Sequence, residues 1–81
     1  MHEVGITKDI VEALNKQIQE NPDVTHVKKV FLRLGRSMGI TQESLIFWFG
    51  QFSSGTKLQG AALDITIVDG KGITIDEVET E

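Results

Sequence analysis

The sequence predicts an α+β fold in which two helices pack on one face of a three-stranded, mixed sheet, in the order helix, strand, helix, strand, strand. Apolar residues recur at helical spacing in two segments and alternate in three others. Breaks rich in glycine or containing proline separate these segments. Because the chain has 81 residues, we expect a single domain spanning 1–81 with a small core.

The first segment has the pattern of an amphipathic helix. Its apolar stripe consists of Ile6, Ile10, Leu14 and Ile18. This spacing predicts a helix from about Gly5 or Thr7 to Glu20. The helix should stop before Pro22, because proline disfavours helical geometry in the residue that precedes it.

The middle of the chain predicts a strand and a second helix. Side chains alternate from Val24 to Arg36, which is typical of a strand. Thr41 can then cap a helix, because its hydroxyl can accept an amide hydrogen bond at the helix start. Gly55 is suited to the left-handed conformation in which many helices end.

One aromatic residue of the second helix has two interpretations. The stripe that should face the sheet contains Leu45, Trp48, Phe49 and Phe52. Phe47 points nearly the opposite way, so it either packs against the first helix or forms an exposed docking residue. In so small a domain we favour core packing.

The last two apolar segments predict strands at 62–68 and from Ile73 onward. Residues directly opposite each other share a face, so Ile67 should pair with Ile73, and Ile65 with Ile75. This predicts a hairpin with the loop 69–71. A right-handed crossover would make the first two strands parallel, whereas the strand order stays open.

Composition excludes several classes of function. The net charge is −4 with acids concentrated near the C-terminus, which argues against a nucleic-acid partner. No apolar stretch approaches the ~20 residues of a membrane span, so we expect no membrane partner and a soluble, cytoplasmic protein. Cysteine is absent, which excludes disulfides and sulfur-ligated zinc. With no phosphate-binding loop and no cysteine nucleophile, the chain is predicted not to be an enzyme.

A series of short motifs resembles one known family. They are Met1-His2-Glu3, Val30-x-Leu32-Arg33-Leu34-Gly35, Gly39-Ile40, Glu43-x-Leu45-x-Phe47-x-Phe49, Gly55-Thr56 and Gly60-Ala61-x-Leu63-x-Ile65. Together and in this order they are similar to the HypA/HybF family of nickel-insertion accessory proteins. The resemblance implies a nickel metallochaperone-type domain that serves hydrogenase or urease maturation, with a maturation GTPase and the hydrogenase large-subunit precursor as partners.

Several departures from that family occur in the chain, among them Met38 in place of a usual serine. Relatives carry a zinc module with two C-x-x-C pairs between the last two strands, whereas this sequence has the turn 69–72 there. We therefore expect no zinc. A natural lineage and an engineered deletion both remain open. Arg36 also stands where relatives commonly carry an acid, which leaves an acidic group near the metal in doubt.

The resemblance also points to a metal site at the chain's start. Nickel(II) accepts nitrogen ligands in square-planar geometry, and histidine in second position lets the Met1 amine, the His2 backbone nitrogen and the His2 imidazole chelate one ion. Glu3 would add a backbone nitrogen or a carboxylate. We interpret His26 as an exposed strand-end residue, with a role as fourth ligand as the lesser alternative.

Two further expectations concern interactions. The alternative to a nickel carrier is a metal-free interaction module that docks through the second helix, where Phe47 and Trp48 are aromatic. The chain is expected to be a monomer or a weak homodimer, because an unprotected sheet edge can pair with another copy.

Overall fold

The computed structural model describes residues 2–81, and the side chains of residues 3–81. The elements are α1 (His2–Gln19), β1 (Val27–Gly35), a 3₁₀ turn (Arg36–Met38), α2 (Gln42–Ser53), β2 (Ala62–Val68) and β3 (Ile73–Thr80). This is the predicted α+β architecture with the predicted order of helices and strands.

The sheet has the order β2-β1-β3, with β1 in the centre. β1 is parallel to β2 and antiparallel to β3, so the mixed sheet and its parallel first pair are confirmed. The predicted hairpin is wrong, because β2 and β3 are the two edge strands and do not pair with each other.

The face of the sheet to which the isoleucine side chains of β2 and β3 point was nevertheless predicted correctly. Leu34 of β1 lies between Ile67 of β2 and Ile73 of β3, and the next row toward the sheet's interior repeats the arrangement. The residues expected to pair therefore share one face and one row, with a β1 residue inserted between them. Alternation of apolar residues along a strand shows which face of the sheet each side chain points to. It does not show which strand lies next to it.

Charge explains why a central β1 is the better arrangement. The predicted hairpin would have set Asp64 directly opposite Asp76, and like charges across a strand pair are destabilising. In the structure Arg33 lies in β1 and donates from Nε to both carboxylate oxygens of Asp76, at 2.9 and 3.0 Å. Lys29 of the same strand has its Nζ 3.6 Å from Asp64. Each acid thus faces a base.

Residues 69–72, here called the crossover arch, carry the chain from β2 to β3 over the end of β1. Gly35 donates its backbone N–H to the Gly72 carbonyl at 2.8 Å, and Ser37 donates to the Gly70 carbonyl at 2.9 Å. A Cβ at Gly35 would lie 2.5 Å from the Gly70 oxygen and 2.7 Å from the Lys71 carbonyl carbon. Glycine is therefore required at 35 by the backbone that passes over it.

Both helices bury their apolar stripes against the same face of the sheet. The buried core comprises Val11, Leu14 and Ile18 of α1, Val27, Val30, Leu32 and Leu34 of β1, Leu45 and Phe49 of α2, and Leu58. Burial of this apolar area is the main stabilising term. In the described residues 2–81, no helix has the length and apolar character needed to cross a membrane.

Local details adjust two of the predictions. α1 begins at His2, earlier than the predicted Gly5 or Thr7, and the Thr7 hydroxyl donates to the Glu3 carbonyl one turn back. Phe47 is 55% exposed, so the preferred core packing is wrong and the exposed alternative holds. The cap at Thr41 is confirmed, since its hydroxyl accepts from the Ser44 N–H.

Replacing Gly35 by alanine should destabilise the fold by about 1–3 kcal/mol, because the added methyl group forces two backbone segments apart. Gly50→Ala is the matched control, since a Cβ there meets nothing within 4 Å. In the interior of α2 this control should stabilise by about 0.5–1 kcal/mol. Urea unfolding of both variants measures the difference. Equal stability of the two variants would show that the arch does not press on Gly35.

Candidate metal centre

The N-terminal half of α1 lies at the end of the sheet where β1 finishes and β3 begins. A cavity of about 300 Å³ shows this arrangement, because Ile6 and Ile10 of α1 line it together with Met38, Ile73 and Ile75. α1 therefore runs opposite to β1, and its first turn is carried at the end that holds the crossover arch.

Of the three residues predicted to bind metal, only Glu3 lies fully within the described part of the chain. Met1 and the His2 side chain lie outside it. Glu3 is half-buried in the first turn of α1, and its carbonyl accepts the hydrogen bond from Thr7. Thr7 is completely buried, so it anchors this turn in the core.

The backbone at the start of α1 keeps nitrogen atoms available. The first N–H groups of any α-helix have no partner within the helix. Since α1 begins at His2, the amide nitrogens of His2 and Glu3 belong to this set. They also lie where the helix dipole places its positive end, to which the Glu3 carboxylate is attracted.

The described side chains at this end contribute few metal donors. Asp9 lines the cavity beside α1, and Met38 presents a thioether there. The Asp69 carboxylate of the arch accepts from Arg36 Nη1 at 2.9 Å. Among the side chains of residues 3–81, no group of three or more histidines, cysteines or acids is close enough together to hold a metal ion.

Arg36 stands where members of the resembled family commonly carry an acid, and it forms an ion pair that was not predicted from the sequence. Its ion pair with Asp69 joins the 3₁₀ turn to the crossover arch. Both side chains are largely exposed, at 68% and 94%, so the pair contributes little stability. The signal available in the sequence was the opposite charge of two loop residues that follow neighbouring strands.

His26 lies at the other end of the sheet. Its Nε2 donates to the Gln59 carbonyl at 2.8 Å, and its Nδ1 is 3.8 Å from the Glu81 carboxylate. The nine residues of β1 separate this end from the crossover arch by roughly 26 Å, at about 3.3 Å per residue. His26 thus lies at the start of β1, as interpreted, and the strand does not bring it near the first turn of α1, the condition on which its alternative role as fourth ligand depended.

Comparison with known proteins shows which family the chain is similar to. The family described as hydrogenase/urease nickel incorporation, metallochaperone, hypA matches residues 1–76. Proteins named hydrogenase maturation factor HypA are similar to the chain in Rippkaea orientalis, at 38% identity over 72 residues, and in Roseiflexus sp., at 38% over 65 residues. A third, from Methylocella silvestris, is 38% identical over 72 residues.

These alignments cover most of this chain and only part of each relative. They take in 89%, 80% and 89% of this chain, against 60%, 52% and 63% of the relatives from Rippkaea, Roseiflexus and Methylocella. The chain thus spans between half and two thirds of their length. The chain belongs to the HypA family of nickel metallochaperones. That family consists of maturation factors and not enzymes, as the sequence predicted.

Removing the imidazole at His26 should leave nickel affinity unchanged, because the side chain lies at the far end of the sheet from α1's first turn. His26→Ala should instead cost about 1 kcal/mol of stability through the lost hydrogen bond to Gln59. Nickel titration and urea unfolding of the same sample separate the two effects. Nickel affinity that falls in this variant would place the metal near Gln59 and Glu81.

Proposed function

We propose that residues 1–81 form a nickel-carrying domain that binds one Ni(II) ion through the Met1 amine, the His2 backbone nitrogen and the His2 imidazole. Glu3 supplies a further nitrogen or oxygen. The observation that carries this proposal is that α1 begins at His2 and is anchored at once by buried Thr7. The His2 and Glu3 backbones thereby belong to the first turn of an anchored helix, which supports the proposal.

The chemistry of such a site suits a carrier. Terminal amine, amide nitrogen and imidazole close two small chelate rings around a metal that favours flat nitrogen coordination. The terminal amine and the imidazole must be in their neutral forms and the amide nitrogen must lose its hydrogen before they bind, so affinity rises with pH. A planar site at a chain end stays open above and below the metal, which permits exchange of ligands with a recipient protein.

The protein that receives the nickel ion is inferred from the family. Its description names hydrogenase and urease, and the relatives are named as hydrogenase maturation factors. We infer that the domain delivers nickel to a hydrogenase large-subunit precursor or to urease, together with a maturation GTPase. The absence of cysteine supports a domain without a zinc module, in which the crossover arch joins β2 to β3 directly.

A nickel titration tests the terminal chelate. His2→Ala, and a form with two extra residues before Met1, should each bind nickel at least about tenfold more weakly than the unaltered chain. Asp9→Asn is the matched control, because this carboxylate lies at the same end of α1 but belongs to no proposed ligand set. In the unaltered chain, affinity should also fall as the pH is lowered.

Equal affinity of the unaltered, His2→Ala and extended forms would exclude the terminal chelate. A loss confined to Asp9→Asn would move the site to the cavity beside Met38. Circular dichroism of each variant confirms that the fold is retained.

The exposed face of α2 favours a second candidate function, a protein-docking module that needs no metal. Ile46 and Phe47 are 49% and 55% exposed, and they are the large hydrophobic residues most open to solvent in the described chain. Trp48 supports Phe47 edge-on, with ring centroids 5.0 Å apart. Exposed Gly50 on the same helix leaves space for a partner's approach.

Binding to the maturation GTPase distinguishes this second function from the first. Phe47→Ala should weaken binding at least about tenfold if the aromatic ring is a docking anchor. Gln42→Ala, on the same helix and also exposed but about 140° around the helix from Phe47, should have little effect. His2→Ala should leave docking intact. Docking that fails only in His2→Ala would favour the carrier alone.

A further inference from the structure

A groove made of two separate cavities lies between α1 and β3. Two cavities form it, one of about 300 Å³ toward the start of α1 and one of about 270 Å³ toward its end. Its apolar lining includes Ile6, Ile10 and Ala13 from α1 and Ile73, Ile75 and Val78 from β3. These residues define what is here called the α1–β3 groove.

The groove adjoins an unpaired strand edge. β3 is the outer strand of the sheet on this side, so half of its backbone N–H and C=O groups point away from β1. A further strand could bind them at the usual spacing of about 4.8 Å. Alternate side chains of that strand would then point to the side of the sheet on which α1 lies, next to the apolar groove.

Charge identifies the chemistry of the occupant. β3 and the residue that follows it carry Asp76, Glu77, Glu79 and Glu81. Arg33 neutralises Asp76 closely, whereas Lys28 is 4.0 Å from Glu79, and Glu77 takes part in none of the ion pairs within residues 3–81. Asp9 adds a carboxylate on the α1 side of the groove. These carboxylates beside the groove attract lysine and arginine side chains.

The same charges argue against a second copy of this chain at the edge. Two β3 strands placed side by side would bring their acids together, which is destabilising. The β2 edge carries one acid, Asp64, which Lys29 already faces at 3.6 Å. A basic segment is therefore drawn to β3 and not to β2.

We propose that the β3 edge and the α1–β3 groove bind an extended segment of another protein, in which apolar residues alternate with lysine or arginine. The segment adds to the sheet as a fourth strand, with its apolar side chains in the groove and its basic side chains beside Glu77 and Glu79. This surface is distinct from the proposed metal site and from the exposed face of α2, and it does not depend on nickel.

A synthetic peptide of alternating valine and lysine, capped at both ends and about as long as the eight residues of β3, serves as the probe. Titrated into the isotope-labelled protein, it should shift the amide resonances of β3 and of Ala13, and its binding should weaken as salt is added. A peptide of alternating valine and glutamate should not bind. Equal binding of the two peptides, or shifts confined to β2, would overturn the proposal.

Two variants test the groove and the charge separately. Ala13→Trp fills the groove from an exposed helix position and should weaken peptide binding at least about tenfold. Glu12→Trp is its matched control, because Glu12 is exposed and lines neither cavity. Glu77→Lys should weaken binding by about two- to threefold, as expected for a rim charge.

If the Ala13→Trp and Glu12→Trp variants bind the peptide equally well, the groove is not its binding site. If Glu77→Lys binds the peptide as well as the unaltered chain does, the acidic side chains do not select a basic segment. Sedimentation of the free protein gives an independent check. A dimer that dissociates when the valine–lysine peptide is added would mean that a second copy occupies the edge, contrary to the proposal.

Discussion

The close passage of the crossover arch over Gly35 is the constraint on which the rest of the structure depends. Only a backbone without a side chain at that point lets residues 69–72 step from one edge strand to the other. The passage accommodates the observed strand order, in which β1 lies in the centre, flanked by β2 on one side and β3 on the other. With β1 central, the bases of that strand face the acids of both edges.

The proposed functional surfaces lie on different parts of this fold. α1 packs along the β3 side with its start at the end of the sheet that holds the arch, and buried Thr7 anchors the first turn of that helix. α2 presents Phe47 to solvent, and β3 presents an acidic edge beside an apolar groove. Three separate surfaces could thus serve metal binding, docking and strand addition in a chain of 81 residues.

Much of this fold could be predicted from the sequence, and the part that could not has a physical explanation. Helical spacing and strict alternation located every helix and strand, and the facing of Ile67 and Ile73 was correct. The pairing of β2 with β3 was predicted wrongly because a strand has the same alternating pattern whichever strand lies beside it. The missed signal was electrostatic, since Asp64 and Asp76 disfavour direct pairing while Arg33 lies between their strands.

The proposed metal site depends on Met1, His2 and Glu3, which the family resemblance nominated, and of these the structure fully describes only Glu3, in the first turn of α1. X-ray absorption spectroscopy at the nickel edge tests the terminal chelate most directly. The account predicts a flat first shell of nitrogen and oxygen atoms that includes an imidazole. A sulfur scatterer, which only Met1 or Met38 could supply in this cysteine-free chain, or a spectrum identical to that of hydrated nickel, would contradict it.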